Sequence, residues 1–120
     1  MLGSLGADSL DGGAGEDVLV AGKLSFYDEN TGAVNRPALD ALMLEWARRD
    51  ADYATRIGHL SGTRAGGLNG AVRLNAATVR PDGAAVDRLF GGDDRDWFLV
   101  GREDLVQDLN SGGQETVTAI

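Results

Sequence analysis

Two stretches of the sequence repeat one nine-residue pattern, and this repeat constrains the fold more than any other feature. The pattern is G-G-x-G-x-D-x-U-x, in which x is any residue and U is a large apolar residue. Residues 12–20 match all five specified positions, and residues 3–11 miss only the second glycine, whose place Ser4 takes. The next block begins at Ala21 and has Phe26 where the aspartate belongs, so the first repeat section decays there.

The same pattern returns in the second half of the chain, at residues 82–90 and 91–99. Its aspartates, Asp87 and Asp96, are nine residues apart, as the aspartates of the first section are. Both later blocks lack the glycine at the fourth position. Two in-phase pairs of blocks are a specific signal, and they predict a stacked, repetitive architecture.

The glycines and aspartates of the repeat predict calcium binding. Glycine adopts positive φ at little cost, so a glycine-rich turn can aim its backbone carbonyls at an ion. Calcium takes six to eight oxygens, from carboxylates and carbonyls, at about 2.3–2.6 Å. An alternative is a metal-free turn, because glycine and aspartate favour turns for conformational reasons alone. The expected ligands are the carboxylates of Asp8, Asp17, Asp87 and Asp96 and the carbonyls of Gly12, Gly13, Gly15, Gly91 and Gly92.

These blocks resemble the RTX, or hemolysin-type calcium-binding, repeats of large secreted bacterial proteins. The resemblance covers roughly residues 3–22 and 82–101. It implies a parallel β-roll in which successive turns alternate between two sides and calcium lies between stacked turns. It also implies an extracellular or cell-surface protein. The last residues, from Glu115 to Ile120, resemble the carboxyl-terminal signals of proteins exported by type I systems.

Composition and charge exclude several other classes. The chain has 11 basic and 19 acidic residues, a net charge of −8, which disfavours nucleic acid and anionic membrane as partners. It has no cysteine and one histidine, so disulfides and ordinary zinc sites are excluded. No apolar run is long enough for a membrane span.

The middle of the chain has a helical period instead. Pro37 suits the first turn of a helix, Asn35 is a candidate N-cap, and Gly62 is a candidate stop. Asp50 interrupts the apolar stripe, which leaves one long helix or two short ones, with Asp50 capping the second. The stripe consists of Leu39, Leu42, Met43, Trp46, Tyr53, Ile57 and Leu60.

Three further features of this segment have simple structural interpretations. Glu45 and its arginine neighbours are predicted to form a solvated helix face. His59, as a helix-end residue, is predicted to face the last backbone carbonyls. Asn69-Gly70 is predicted to form a hairpin turn before a short strand at residues 71–74.

We therefore expect a single α+β domain over residues 1–120. The two repeat sections stack into a short calcium-binding parallel β-roll, and the insertion supplies an amphipathic helix and a hairpin that cover it. The sections are the first repeat at 3–28, the insertion at 29–81, the second repeat at 82–104 and a carboxyl-terminal tail at 105–120.

The expected function is structural rather than enzymatic. The chain is predicted to be a calcium-dependent module of a larger secreted protein, with folding coupled to ion binding. One alternative is an adhesion or recognition module, in which calcium bridges to a glycan or a protein; an exposed Trp97 would favour it. A less favoured alternative is a small hydrolase that uses paired acids, which an activity lost on His59→Ala or on replacing one aspartate would favour.

Overall fold

The structure is a computed structural model, and it describes residues 2–3, 6–28, 30–81, 83, 85–107 and 115–120. Ser4 and residues 108–114 of the predicted tail lie outside these ranges. The chain divides into two compact units. Met1–Leu24 and Val79–Ile120 together form the repeat unit, and Ser25–Thr78 forms the inserted unit. Within the described residues the fold is mixed α+β, with the helices in the inserted unit and the strands in the repeat unit.

The repeat unit contains short strands, and each repeat block ends in one of them. Those described are β1 (Ser9–Asp11), β2 (Val18–Val20), β3 (Lys23–Leu24), β4 (Val79–Arg80), β5 (Arg88–Phe90), β6 (Trp97–Val100), β7 (Leu105–Val106) and β8 (Thr116–Ala119).

Six of these strands form two parallel three-stranded sheets. Sheet one has the order β1-β5-β7, and sheet two has the order β2-β6-β8. Apart from the antiparallel pair of β3 and β4, successive strands along the chain alternate between the two sheets. The first repeat section pairs directly with the second: Leu10 lies opposite Leu89, and Leu19 lies opposite Phe98.

The apolar position of each repeat block lies in the core of the repeat unit. The residue two positions after each repeat aspartate is the second residue of the strand that follows, in β1, β2, β5 and β6 alike. Full burial of such a side chain contributes about 1.5–3 kcal/mol. The buried cluster consists of Leu10, Leu19, Leu89 and Phe98 with Ala21 and Val100.

The third strand of each sheet comes from the end of the chain. β7 pairs with β5, and β8 pairs with β6. Trp97 in β6 is fully buried, and its indole N–H donates to Thr118 Oγ1 at 2.9 Å. Sheets of three strands are more stable than isolated strand pairs, so the tail completes the sheets that the two repeat sections begin.

The inserted unit contains two short helices rather than one long one. The helix α1 (Arg36–Ala47) begins after Asn35, whose side chain accepts the Ala38 N–H, with Pro37 in the first turn. The helix α2 (Tyr53–Ser61) ends at Gly62, which has a left-handed φ of 92°. These boundaries match the predicted cap and stop.

The cap of α2 differs from the prediction. Asp52, not Asp50, precedes the helix, and its carboxylate accepts the Thr55 N–H at 2.8 Å. Asp50 instead accepts two hydrogen bonds from the Arg48 guanidinium. These bonds lower the pKa of Asp50 to about 2. The Asp50 side chain therefore pairs with Arg48, and the N-cap of α2 is two residues further along the chain.

The core of the inserted unit is built on the aromatic pair of the predicted stripe. Trp46 and Tyr53 are buried and meet edge to face, with their ring centroids 6.1 Å apart. The Arg56 guanidinium lies 4.9 Å from the centre of the Trp46 ring. Met43, predicted in the stripe, is instead 58% exposed. It follows Leu42 by about 100° around the helix axis, which turns it away from the buried face.

The predicted hairpin at Asn69-Gly70 is wrong. Residues 67–78 contain no strand. Asn69 is only 2% exposed, and its amide group donates to the backbone carbonyls of His59 and Val72. The Asn69 side chain, predicted in a hairpin turn, therefore anchors a loop from the inside.

Among the residues that the structure describes, no helix is both long and apolar enough to cross a membrane. The helix α1, for example, has 12 residues, whereas a span needs about 20.

Candidate metal centre

An aspartate stands immediately before each strand of sheet one. We call Asp8, Asp87 and Asp104 the first acidic ladder. The Asp8 N–H donates to Asp87 Oδ1 at 2.7 Å, and the Asp87 N–H donates to Asp104 Oδ1 at 3.0 Å. Parallel in-register pairing of β1, β5 and β7 brings these residues together, because each precedes its strand by one position.

Sheet two begins with an equivalent set, the second acidic ladder, made of Asp17, Asp96 and Glu115. The Asp17 N–H donates to Asp96 Oδ1 at 2.8 Å. The Thr116 N–H, one residue after Glu115, donates to the backbone carbonyl of Asp96 at 3.1 Å. The structure thus joins the predicted ligands in two pairs, Asp8 with Asp87 and Asp17 with Asp96.

One oxygen of each paired aspartate has an unusual environment. At Asp8 and Asp17, Oδ2 is buried and accepts no hydrogen bond from the described residues. The Oδ2 atoms of Asp87 and Asp96 are also buried, and these two residues have further interactions. A buried carboxylate oxygen without a donor or a cation carries a large desolvation cost.

Burial has a direct electrostatic consequence at Asp17. Desolvation raises the pKa of its carboxyl group above the ordinary value, and repulsion from Asp11 raises it further. In the absence of a cation, the folded protein therefore favours a proton on Asp17 more than the unfolded chain does. A bound cation would reverse this preference, because it stabilises the ionised form.

Glycines hold the turns against these carboxylates. A Cβ on Gly3 would lie 3.2 Å from Asp87 Oδ2 and 3.3 Å from Asp8 Oδ2. A Cβ on Gly12 would lie 2.6 Å from the carbonyl oxygen of Gly91 and 2.8 Å from Asp17 Oδ2. Gly3 therefore lies against two carboxylate oxygens. Gly12 lies against one carboxylate oxygen and the carbonyl oxygen of Gly91, which is a predicted ligand.

The turn before Asp17 stacks on the turn before Asp96. The Asp93 N–H donates to the carbonyl of Gly13 at 2.9 Å, and a Cβ on Gly92 would collide with that same oxygen. A Cβ on Gly91 would collide with Asp96 Oδ2. The structure thus brings four of the five predicted glycines to this stack. Gly15, the fifth, has open space where a side chain would stand.

The later block keeps the turn shape despite its missing glycine. Gly15, at the fourth position of the best-matched block, has φ 95°. Asp94 holds the equivalent position with φ 69° and is the one described residue other than glycine with positive φ. Aspartate is among the residues that tolerate this region. Ala85, which replaces the other fourth glycine, does not adopt it.

The side chains alone do not complete a metal site. Across the described ranges, no three acidic or histidine side chains stand close enough to hold a metal ion. Each aspartate pair offers two carboxylates, so the other oxygens that calcium needs would come from turn carbonyls such as that of Gly91.

Sequence reasoning missed Asp104 and Glu115 as members of the ladders. Asp104 stands only three residues after Gly101, so its turn does not fit the nonapeptide pattern. The turn before Glu115 lies in residues 108–114, outside the described residues. The available signal for Asp104 was the sequence Asp104-Leu105-Val106, an aspartate followed by apolar residues as in the better blocks.

A second buried acid lies in the inserted unit. Glu45, predicted on a solvated face, is fully buried. Its carboxylate accepts the Leu68 N–H at 2.7 Å, contacts His59 Nδ1 at 3.1 Å and accepts from Arg48 Nη1 at 3.1 Å. The prediction that His59 faces the helix-end carbonyls is therefore wrong, because its ring faces Glu45. The loop that carries Leu68 covers this face, which the helical period could not reveal.

No protein-family model, curated protein or solved structure matches this chain.

Proposed function

We propose that the repeat unit is a calcium-binding structural module of a larger extracellular protein. In this proposal its two parallel sheets form a short β-roll of the RTX type, and calcium ions lie between the stacked turns. One observation carries it: the buried Oδ2 atoms of Asp8 and Asp17 accept no hydrogen bond from the described residues.

A carboxylate oxygen in that position can be stabilised by a hydrogen-bond donor, a proton or a cation. Around Asp8 and Asp17 the described part of the chain supplies no donor to these oxygens. At neutral pH a proton is a poor solution, because the ordinary pKa of aspartate is about 3.9 and the ionised form is strongly favoured at pH 7. A cation satisfies both carboxylates of a pair at once.

The donor set favours calcium over other metals. Carboxylates and backbone carbonyls are hard oxygen ligands, which suit calcium and magnesium rather than zinc or copper. Magnesium requires near-ideal octahedral geometry and retains its waters, whereas calcium accepts irregular sites. Two carboxylates with carbonyls of a glycine turn make an irregular site. Extracellular calcium modules bind with Kd values of about 10⁻⁴–10⁻³ M, which fits folding after export.

Ion binding and folding are coupled in this proposal. The ion binds the folded stack, because in the unfolded chain Asp8 and Asp87 are 79 residues apart. The gain in stability is RT ln(1 + [L]/Kd), about 2.7 kcal/mol for one site at 100 times Kd. For a domain of this size that corresponds to an increase of about 10 °C in melting temperature.

Thermal unfolding in calcium, in magnesium and in chelator tests the proposal. We expect a melting temperature about 10 °C higher in calcium than in chelator, with a smaller increase in magnesium. Asp17→Asn should reduce the calcium effect, whereas Asp93→Asn, at an exposed position of the later turn, should leave it unchanged. Equal melting temperatures in calcium and chelator would contradict the proposal.

No observation favours the two alternative functions. An exposed Trp97 would have favoured the recognition module, and Trp97 is fully buried. Loss of an activity on His59→Ala would favour the hydrolase, and the His59 ring contacts the buried Glu45 rather than the repeat aspartates. That the chain is not an enzyme stays a prediction. An assay against general hydrolase substrates tests it, with the Asp17→Asn and His59→Ala variants compared with the parent protein.

A further inference from the structure

We infer that the exposed face of α1 pairs with the same face of a second copy of the chain, with the two helices antiparallel. This face consists of Asp40, Met43, Leu44 and Ala47, and we call it the α1 outer face. The four residues are spaced as i, i+3, i+4 and i+7, which places them on one side of the helix. The α1 outer face belongs to the inserted unit and is no part of the proposed calcium site.

The helix α1 has two apolar faces, and only one of them is buried. The buried face includes Leu42 and Trp46. On the α1 outer face, Met43 is 58% exposed and Leu44 is 61% exposed, the two highest values for large apolar side chains among the described residues. Together with Ala47 they line a shallow groove. Single exposed apolar residues are ordinary, whereas contiguous ones mark a surface that binds a partner.

The charges on either side of this groove favour an antiparallel pair. Asp40 stands four residues before Leu44, and Arg49 stands five residues after it. Both residues are exposed, and neither side chain has a hydrogen bond or an ion pair within the described part of the chain. A second α1 that crosses Leu44 in the opposite direction brings its Arg49 to Asp40 and its Asp40 to Arg49. A parallel pair brings like charges together, which disfavours that arrangement.

The neighbouring Arg48 does not take part in this pairing. Its guanidinium already contacts the buried Glu45 and donates two hydrogen bonds to Asp50. Arg49 is therefore the basic group at this end of α1 that is available to a partner.

The distribution of charge favours the inserted unit as the place where two copies meet. It has six basic and six acidic residues, whereas the rest of the chain has five basic and thirteen acidic residues. Contact between two surfaces of net negative charge is opposed by repulsion, and contact between two neutral surfaces is not. A surface that is complementary to itself closes into a two-fold dimer, the commonest arrangement of soluble oligomers.

Sedimentation equilibrium of the whole chain in calcium chloride tests the dimer. An interface built on a helix of 12 residues is small, so association should be weak, and the average mass should rise towards that of a dimer between about 1 μM and about 1 mM protein. Leu44→Gln should raise the Kd about tenfold or more, because the two-fold axis brings the Leu44 side chains of both copies together. Leu68→Gln is the matched control. Leu68 is another exposed leucine of the inserted unit, and its replacement should leave the Kd unchanged.

Charge reversal separates the antiparallel pairing from non-specific adhesion of apolar surfaces. Asp40→Arg and Arg49→Asp should each raise the Kd about tenfold, because each brings like charges together at two symmetry-related places. The double variant, Asp40→Arg with Arg49→Asp, restores opposite charges and should restore the Kd of the parent. These positions are exposed, so every variant should unfold in urea as the parent does when the protein concentration is low.

A chain that stays monomeric over the whole concentration range would overturn the inference. A dimer that Leu44→Gln and Leu68→Gln weaken equally would overturn it as well, because the contact would then not lie on the α1 outer face. Failure of the double variant to bind more tightly than the two single charge variants would contradict the antiparallel arrangement.

Discussion

The buried carboxylates of the two units differ in their hydrogen-bond partners. In the inserted unit, the carboxylate of Glu45 contacts the Leu68 N–H, His59 and Arg48. In the repeat unit, Asp8 and Asp17 each have a buried oxygen that accepts no hydrogen bond from the described residues. The first unit supplies the partners of its buried charge from its own sequence. For the repeat unit we propose that a calcium ion from solution is the missing partner.

The distribution of charge shows the same contrast. The inserted unit has six basic and six acidic residues and is therefore neutral. The repeat unit has five basic and thirteen acidic residues, so the whole net charge of −8 falls on it. Repulsion among these acids opposes folding of the repeat unit, and a divalent cation reduces it.

The largest expected effect on the free energy of unfolding comes from replacing Glu45, whose buried carboxylate has its partners within the inserted unit. Glu45→Ala leaves the buried Leu68 N–H without its acceptor and removes the carboxylate that Arg48 and His59 contact, and we expect a loss of about 3–5 kcal/mol. Urea unfolding followed by Trp46 fluorescence in a Trp97→Phe background measures it. The loss should be the same in calcium and in chelator.

Asp40→Ala is the matched control, because Asp40 is an exposed acid on the same helix. A change above about 0.5 kcal/mol for this control would not be expected for a surface residue. If the Glu45→Ala loss depended on calcium, the contrast between the units would be wrong.

Close stacking of the turns gives the next effect. Gly92→Ala combines a positive φ of 91° with a collision against the Gly13 carbonyl, and we expect a loss of about 3 kcal/mol. Gly15→Ala is the control, because it has the same backbone conformation with open space around the added methyl. It should cost about 1–2 kcal/mol. Equal losses in urea unfolding would show that the turns do not stack as described.

Asp17→Asn should remove the contribution of one calcium site. In calcium at 100 times Kd we expect a loss of about 2.7 kcal/mol, while in chelator the variant should be as stable as the parent or more stable. The reason is that the amide keeps the shape of the side chain and removes a buried charge. Chemical unfolding in the two conditions provides the measurement, and a loss of stability in chelator equal to that in calcium would contradict the prediction.

The pH dependence should give the smallest effect, with opposite signs in the two units. The folded-state pKa of Asp17 is raised, so in chelator the stability of the repeat unit should increase as the pH falls through that pKa towards the ordinary value of 3.8. The pKa values of Asp50 and Asp52 are lowered, so their contribution to the inserted unit should be lost as the pH falls below 3.8.

Two single-tryptophan variants separate these signals. Trp97 lies in the repeat unit and Trp46 in the inserted unit, so Trp46→Phe and Trp97→Phe each leave one reporter. In chelator, the thermal midpoint reported by Trp97 should rise as the pH is lowered from 7 to 4, whereas the midpoint reported by Trp46 should fall as the pH is lowered from 4 to about 2. With calcium present, acid should lower that midpoint, because protons compete with the ion. A fall in chelator would contradict the assigned burial of Asp17.

The local features of the fold were predictable. The nonapeptide period places Asp8 and Asp17 before short strands with Leu10 and Leu19 in the core, because the alternation of a strand depends on neighbouring residues only. The cap at Asn35 and the stop at Gly62 were predictable for the same reason, since both depend on one turn of helix.

The non-local features were not predictable. The nine-residue period indicates that turns stack but does not say that Asp8 stacks on Asp87, 79 residues away. The burial of Glu45 depends on Leu68, which the chain brings to it from 23 residues further on. The third strands were missed because Thr116 and its neighbours carry no repeat and acquire their role only by pairing with β6.

The sequence by itself determined the chemistry of the repeat unit: oxygen ligands, glycine turns, an excess of negative charge, and no thiol. These are properties of residue type and short spacing, and no fold can change them. Only the tertiary structure decided which acids share an environment and which oxygen of each lacks a donor. Asp104 and Asp8 are the same residue type before the same kind of strand, yet one is closed by the Gly101 N–H and the other is not. That difference depends on the folded geometry of each turn, which composition and period do not contain.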